Sequence, residues 1–367
     1  MRVIISGGGT GGHIYPGVAI AKKIKEYDKN AEILFIGSKN GLEGKLVPKE
    51  GFNIKFIEVE GLNKKVSAKT ISAVGKAFKG CSMANKIIKE FKPDIVVGTG
   101  GYVCGPVVLS ASLKGIPTII HEQNAIPGMT NKILSKVVKK IAVTFKESEQ
   151  YFPKKKVVYT GNPIRSQILN ADPVVSREKL GFSKDKKLVL VVGGSRGAKN
   201  VNKAAIDMLP DIKKNNMQML FITGEVGYKD IMADIEKKGY NLSDDIKVLP
   251  YLYEMENALA ACDIIISRAG ATILSEITAL GIPSILIPSP YVANNHQELN
   301  ANSVEKNGAA VKVKESELKD NILGKTLVSI INDSEKMKSM KTASKNIGIL
   351  DAADKIYRII LSLKSSK

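Results

Sequence analysis

The sequence predicts an α/β protein made of two Rossmann-like, doubly wound domains facing a cleft. The first observation is a glycine loop behind an apolar strand: Val3-Ile4-Ile5-Ser6 runs into Gly7-Gly8-Gly9-Thr10-Gly11-Gly12-His13. The second is its echo half a chain later, where Leu188-Val189-Leu190-Val191-Val192 runs into Gly193-Gly194-Ser195-Arg196-Gly197-Ala198. Each reads as a buried parallel strand, a tight turn and a helix start, with glycine where a Cβ would keep an anion from the backbone. The third is the alternation of strand and helix signals, which implies parallel sheets covered on both faces.

In the first half the apolar runs predict strands at Val3–Ser6, Glu32–Ile36, Lys55–Val59, Asp94–Gly98, Thr118–Ile120, Lys140–Val143 and Val157–Thr160. Helical patterns at Pro16–Glu26, Ala68–Phe91 and Met129–Lys136 separate them. The second half predicts strands near Leu188–Val192, Met219–Ile222, Lys247–Leu249, Asp263–Ser267 and Ser284–Ile287. The turn-forming cluster Gly161-Asn162-Pro163 sets the junction, giving domains at 1–162 and 163–347. The segment 348–367 begins at a break at Gly348 and holds a last helix, Ala352–Leu363. It either finishes the second domain or crosses back to pack on the first.

A chain of 367 residues is long enough for two cores. Lys and Arg number 55 against 36 Asp and Glu, a net charge of +19 that suits nucleic acid, an anionic membrane surface or an acidic small molecule. The lysines are scattered, without an arginine-rich arm, zinc spacing or helix-turn-helix signal, so nucleic acid is not expected as a partner. Cys81, Cys104 and Cys262 are distant and odd in number, which fits reduced thiols better than a disulfide framework or metal site. The run Val3 to Ile5 is too short for a signal peptide, and no stretch approaches the ~20 apolar residues of a membrane span. Any membrane contact is expected to be peripheral.

The first loop formally fits the G-x-G-x-x-G fingerprint, but the second strand ends Phe35-Ile36-Gly37-Ser38-Lys39, without the acid that would hold an adenosine ribose. His13, directly after the loop, is placed either as a general base or as a cap that holds the loop's shape; an imidazole titrates ordinarily near about 6.5. His121-Glu122-Gln123-Asn124 and Asn294-Asn295-His296-Gln297-Glu298 fall at strand C-terminal ends, where open sheets bind ligands. Their amides and carboxylates suit a sugar, or are ordinary loop polarity. In Ser267-Arg268-Ala269-Gly270-Ala271-Thr272, small residues lead into a helix whose N–H groups near Ala271 and Thr272 could hold a diphosphate. Glu276, one turn on, could accept from a ribose diol or serve the helix dipole. No D-x-D motif occurs, so no metal site and no cofactor is expected, and a diphosphate would rely on backbone and dipole. Between Asn63 and Phe91, Lys69, Lys76 and Lys79 interleave with Ile71, Val74 and Phe78; this is a solvated helix with a core face, or a basic, apolar patch for an anionic leaflet.

Taken together, GGGTGGHIYPGVAIA, GTGGYVCGPVVLSA, HEQNAIPGMTN, TGNPIR, GGSRGA, SRAGATILSE and HQELNA resemble the MurG family of bacterial glycosyltransferases, in order from residue 7 to residue 301. The resemblance implies the GT-B fold, with a UDP-N-acetylglucosamine donor mainly on the C-terminal domain and the acceptor lipid I on the N-terminal one. It implies a donor pocket of Thr10, Gly11, Gly12, Asn124, Arg165 and Ser195, with Leu252 near uracil, Glu276 at the ribose and Gln297 at the sugar. Gly100, Gly101 and Tyr102 fall on the acceptor side, and His13 matches the histidine proposed to act near the acceptor. Arg196 stands where the family usually has Gln, and the chain has no Trp to anchor a membrane patch. The expected reaction is an inverting transfer to the C4 hydroxyl of lipid I, giving lipid II for peptidoglycan, cell shape and division. The expected place is the cytoplasmic face of the cell membrane, held peripherally, with cell-wall synthesis proteins among the partners. Rival readings are a glycolipid synthase, a nucleotide-sugar epimerase and, from another class, a non-catalytic UDP-sugar sensor or a nucleic-acid-binding protein suggested by the basic charge.

Overall fold

The computed structural model describes residues 1–59, 68–194 and 197–365, with the side chains of all but 68–78 among these. Contacts divide the chain into two compact units, Met1–Arg165 with Leu350–Lys367, and Ser166–Ile349.

The first unit is a parallel sheet of β1 (Arg2–Gly7), β2 (Glu32–Ser38), β3 (Asn53–Ile57), β4 (Ile95–Gly100), β5 (Thr118–Glu122), β6 (Lys140–Val143) and β7 (Val157–Tyr159). Its order is β3-β2-β1-β4-β5-β6-β7, so the winding reverses between β1 and β4. Strands covered on both faces must be apolar at successive positions. Accordingly Val3 and Ile5 pack on one face with Phe35 and Val97, whereas Ile4 packs on the other with Leu34, Val96 and Ile120. The last helix, Ala352–Ser365, belongs to this unit. Ile356 and Ile360 join the cluster of Ile20 and Ile24, and Tyr357 stacks on Tyr27 with ring centroids 4.7 Å apart. The unit runs to Arg165, three residues past the expected boundary at 162.

The second unit is a parallel sheet of β8 (Leu188–Val192), β9 (Gln218–Ile222), β10 (Ile246–Leu249), β11 (Ile264–Ser267), β12 (Ser284–Leu286) and β13 (Ala310–Lys312). The order β10-β9-β8-β11-β12-β13 reverses between β8 and β11. In an open α/β sheet the crevice at such a reversal, past the strand C-termini, is where ligands bind. Both glycine loops lie there. Two sequence expectations shift: β3 starts two residues earlier than predicted, and β13 has no counterpart among the predicted strands. Cys104 and Cys262 are buried as small apolar groups; burial pushes both thiols up, that of Cys104 to about 12.

Candidate active site

In the first unit the loop after β1 meets the loop after β4. The Gly8 N–H donates to the Gly100 carbonyl at 3.3 Å. Gly101 has φ +81°, and a Cβ there would lie 2.4 Å from the Gly8 oxygen, so only glycine permits this approach. The turn is held from the far side by Glu43, a fully buried carboxylate. Its Oε1 accepts from the Ser38 N–H (2.8 Å) and hydroxyl (2.6 Å), and its Oε2 accepts from the Gly9 N–H (3.0 Å). A Cβ on Gly8 or Gly41 would strike this carboxylate, and one on Gly37 would strike the Glu43 Cγ. The acid absent from the end of β2 is thus supplied from Glu43, and it binds the chain's own loop. Tyr102, partly exposed, lies with its hydroxyl 3.3 Å from that of Ser38.

The helix Gly11–Tyr27 starts from Thr10 without a side-chain cap and with no acid in its first turn. His13 is half-buried on that turn, its carbonyl accepting from the Thr99 hydroxyl at 2.7 Å. The ring lies against Gly100, where a Cβ would be 2.7 Å from Nδ1. A run of buried polar groups continues inward from it. His13 Nδ1 is 3.2 Å from Gln123 Oε1, Gln123 Nε2 is 2.7 Å from the Thr99 carbonyl and 3.0 Å from His121 Nδ1. His121 Nε2 then reaches the Gly161 carbonyl at 3.1 Å and the Thr144 hydroxyl at 3.3 Å. Beside it Glu122 accepts from the backbone N–H groups of Asn124 (3.0 Å) and Gly128 (3.2 Å) and from the Asn131 amide (2.8 Å). Burial pushes the Glu122 carboxyl up, and these bonds oppose it.

Three of the four residues in the polar cluster at 121–124 therefore face the protein interior and not a sugar. His121, Glu122 and Gln123 are at most 2% exposed and are bonded within the protein; Asn124 is half-buried. Burial drives the His121 pKa down to about 4. Unfolded, the imidazole returns to about 6.5, so below that pH the unfolded chain binds a proton the folded chain refuses. His121 accordingly removes up to about 3 kcal/mol of stability as pH falls from about 6.5 to about 4. Urea unfolding at pH 7 and pH 5 checks this: His121→Asn gives the shallower pH dependence, and equal slopes for the two proteins refute the assignment.

In the second unit, the loop after β8 carries Gly194 (φ +93°) and Gly197 (φ +74°), and a Cβ on Gly197 would sit 2.7 Å from the Thr223 carbonyl. Asn202 supports the same carbonyl, donating to it at 2.9 Å. Ser195 and Arg196 lie outside the described residues. After β11, Gly270 precedes the helix Ala271–Leu280, which has neither a side-chain cap nor an acid in its first turn. The hydroxyl of Thr272, in that turn, is buried without a hydrogen-bond partner among the described residues. Glu276 is buried one turn further on. Arg268 straps the loop: its guanidinium donates to the Ile287 (3.2 Å) and Pro288 (3.3 Å) carbonyls and pairs with Glu315 at 2.6 Å. Gln297, in the helix His296–Lys306, accepts from the Ser289 N–H at 2.9 Å. Leu252 is half-buried between Tyr251 and Tyr253, whose rings meet edge-on.

Arg165 closes the first unit with its guanidinium 4.8 Å from the centre of the Tyr15 ring. Of the proposed basic patch, the side chains of Lys69, Ile71, Val74, Lys76 and Phe78 lie outside the described residues. Lys79 is exposed and pairs with Glu58 at 2.6 Å.

The glycosyltransferase family 28 N-terminal domain matches residues 3–143, and its C-terminal domain matches residues 188–356. A protein of Acetivibrio thermocellus named UDP-N-acetylglucosamine–N-acetylmuramyl-(pentapeptide) pyrophosphoryl-undecaprenol N-acetylglucosamine transferase is 51% identical over 100% of this chain and 99% of its own length. The Bacillus subtilis protein of the same name is 47% identical over 99% and 100%. A crystal structure of Acinetobacter baumannii MurG aligns with a TM-score of 0.78 at 27% identity, covering 98% of this chain and 99% of that one. The chain belongs to the MurG family. A UDP-GlcNAc 2-epimerase from Neisseria meningitidis, solved with UDP-GlcNAc, aligns at TM-score 0.70 and 15% identity over 99% of this chain and 100% of its own, a likeness of fold alone.

Within the MurG-like first unit, the structure brings together Thr10, Gly11, Gly12, His13 and the loop Gly100-Gly101-Tyr102 at one sheet reversal. In the second it brings Ala271, Thr272 and Glu276 onto one helix start. Sequence reasoning missed Glu43, Thr99 and Arg268 as supports. The signal for Glu43 was the glycines at 8, 37 and 41, all of which make room for this one side chain.

Proposed function

We propose that this chain transfers N-acetylglucosamine from UDP-N-acetylglucosamine to the C4 hydroxyl of lipid I with inversion, forming lipid II. The observation that carries this reading is 51% identity, end to end, with a transferase so named. The N–H groups at the start of the helix Ala271–Leu280 would hold the donor diphosphate through backbone and dipole, with the Thr272 hydroxyl beside them. Glu276 would take the ribose, Leu252 would lie near uracil, and Gln297 would take the sugar, while Thr10, Gly11, Gly12, Asn124, Arg165 and Ser195 complete the donor set. Gly100, Gly101 and Tyr102 would border the acceptor. His13 would remove the proton of the attacking hydroxyl as UDP leaves in line, so positioning, base and dipole share the work. This chemistry asks for no metal and no cofactor.

Single-turnover transfer of labelled N-acetylglucosamine from its UDP donor to a short-chain lipid I analogue, with chelator present, tests the reading. Labelled disaccharide–lipid is the expected product. Donor binding without transfer to lipid I removes the acceptor, and no donor binding removes the whole assignment. No helix among the described residues is long and apolar enough to cross a membrane. We further propose peripheral binding at the cytoplasmic leaflet, drawn by the net charge of +19. Binding to vesicles containing anionic lipid is expected to weaken as salt rises from low to physiological; salt-independent binding contradicts this.

A further inference from the structure

We infer that Gln123 is a positioning residue that fixes the tautomer of His13, holding the proton on Nδ1 so that Nε2 is the atom able to accept one. The inference rests on the base role given to His13 above, and the geometry supplies what that role leaves open: which nitrogen acts and what selects it.

Two backbone carbonyls, which can only accept, force the direction of the whole run. At the inner end His121 Nε2 faces the Gly161 oxygen at 3.1 Å and therefore carries the hydrogen. His121 is buried and, with a pKa near 4, neutral at physiological pH, so its Nδ1 is an acceptor. At the middle the Thr99 oxygen lies 2.7 Å from one end of the Gln123 amide, which must be the NH₂ end. That group gives one hydrogen to Thr99 and the other to His121 Nδ1 at 3.0 Å. The amide has no freedom to flip, because a flip would set an oxygen against both a carbonyl oxygen and an imidazole lone pair. Its Oε1 is left toward His13 Nδ1 at 3.2 Å, and because an amide oxygen can only accept, that ring nitrogen carries the hydrogen. Gly100, with φ +100°, supplies the space in which the ring adopts this pose. The second ring nitrogen's role is commonly set by the bond the first one makes.

The chain has three histidines, so imidazole ¹⁵N resonances of histidine-labelled protein are few enough to assign with His13→Ala and His296→Gln. At pH 8, wild-type His13 is expected to show a protonated Nδ1 and an unprotonated Nε2. Gln123→Met, close in length but without either amide function, is expected to shift His13 toward the Nε2–H form. Its kcat should fall by about 10–100-fold with the KM for UDP-N-acetylglucosamine kept within about twofold. A wild-type His13 protonated on Nε2 overturns the inference whatever the variant does, including failure to fold. A shifted tautomer with unchanged kcat overturns the positioning role. The expected wild-type tautomer together with a fully active His13→Ala enzyme removes the base assignment instead, and leaves the tautomer assignment standing.

Discussion

His13→Ala lowers single-turnover transfer by about 10²–10⁴-fold while donor binding stays close to wild type, the range that one positioned base contributes. The imidazole is placed for this by elements that do not depend on it for folding. Its backbone sits in the first turn of the helix Gly11–Tyr27, anchored by the Thr99 hydroxyl on the His13 carbonyl at 2.7 Å. Because that bond uses the carbonyl, alanine keeps it and the helix start survives. The effect should therefore appear in kcat and leave thermal unfolding nearly unchanged. Near-normal turnover with the wild-type pH dependence would show that His13 serves only the shape of the loop, the second role its position allows.

How far the sequence carries this reading depends on burial. Strands enclosed on both faces, such as Val3–Ser6 and Leu188–Val192, are unbroken apolar runs and were legible with correct limits to within a residue or two. The edge strand Asn53–Ile57 exposes Asn53, Lys55 and Phe56, so its pattern is diluted and its predicted limits slid by two residues. Ala310–Lys312 is three residues long and offers too little pattern to find. The glycine loops were legible because backbone conformation demands glycine locally. The polar cluster His121-Glu122-Gln123 was visible as a cluster, yet its purpose was not. Gln123 acts on His13, 110 positions away, and no local rule distinguishes such an internal brace from a ligand contact.

The same reasoning gives Glu43→Ala the largest expected effect on stability. The Glu43 carboxylate takes hydrogen bonds from the Ser38 N–H and hydroxyl, both buried, and from the part-buried Gly9 N–H. Removing an acceptor from buried donors costs about 1–3 kcal/mol for each, and relaxation of the loop recovers part of it, so a net loss of about 3 kcal/mol is expected. For a unit of this size that lowers the melting temperature by about 10 °C. Activity should fall further than folding accounts for, because Gly9 N–H is the tie that keeps the turn before Thr10, Gly11 and Gly12 closed. Calorimetry and transfer assayed well below the variant's melting temperature separate the two effects. Glu43→Gln keeps one carbonyl acceptor and the shape of the group, and should lie between. A variant that melts within about 2 °C of wild type would mean that the pocket formed by Gly8, Gly37 and Gly41 collapses onto itself or admits water in place of the carboxylate. In that case the three glycines, and not the acid, would be what sets the loop.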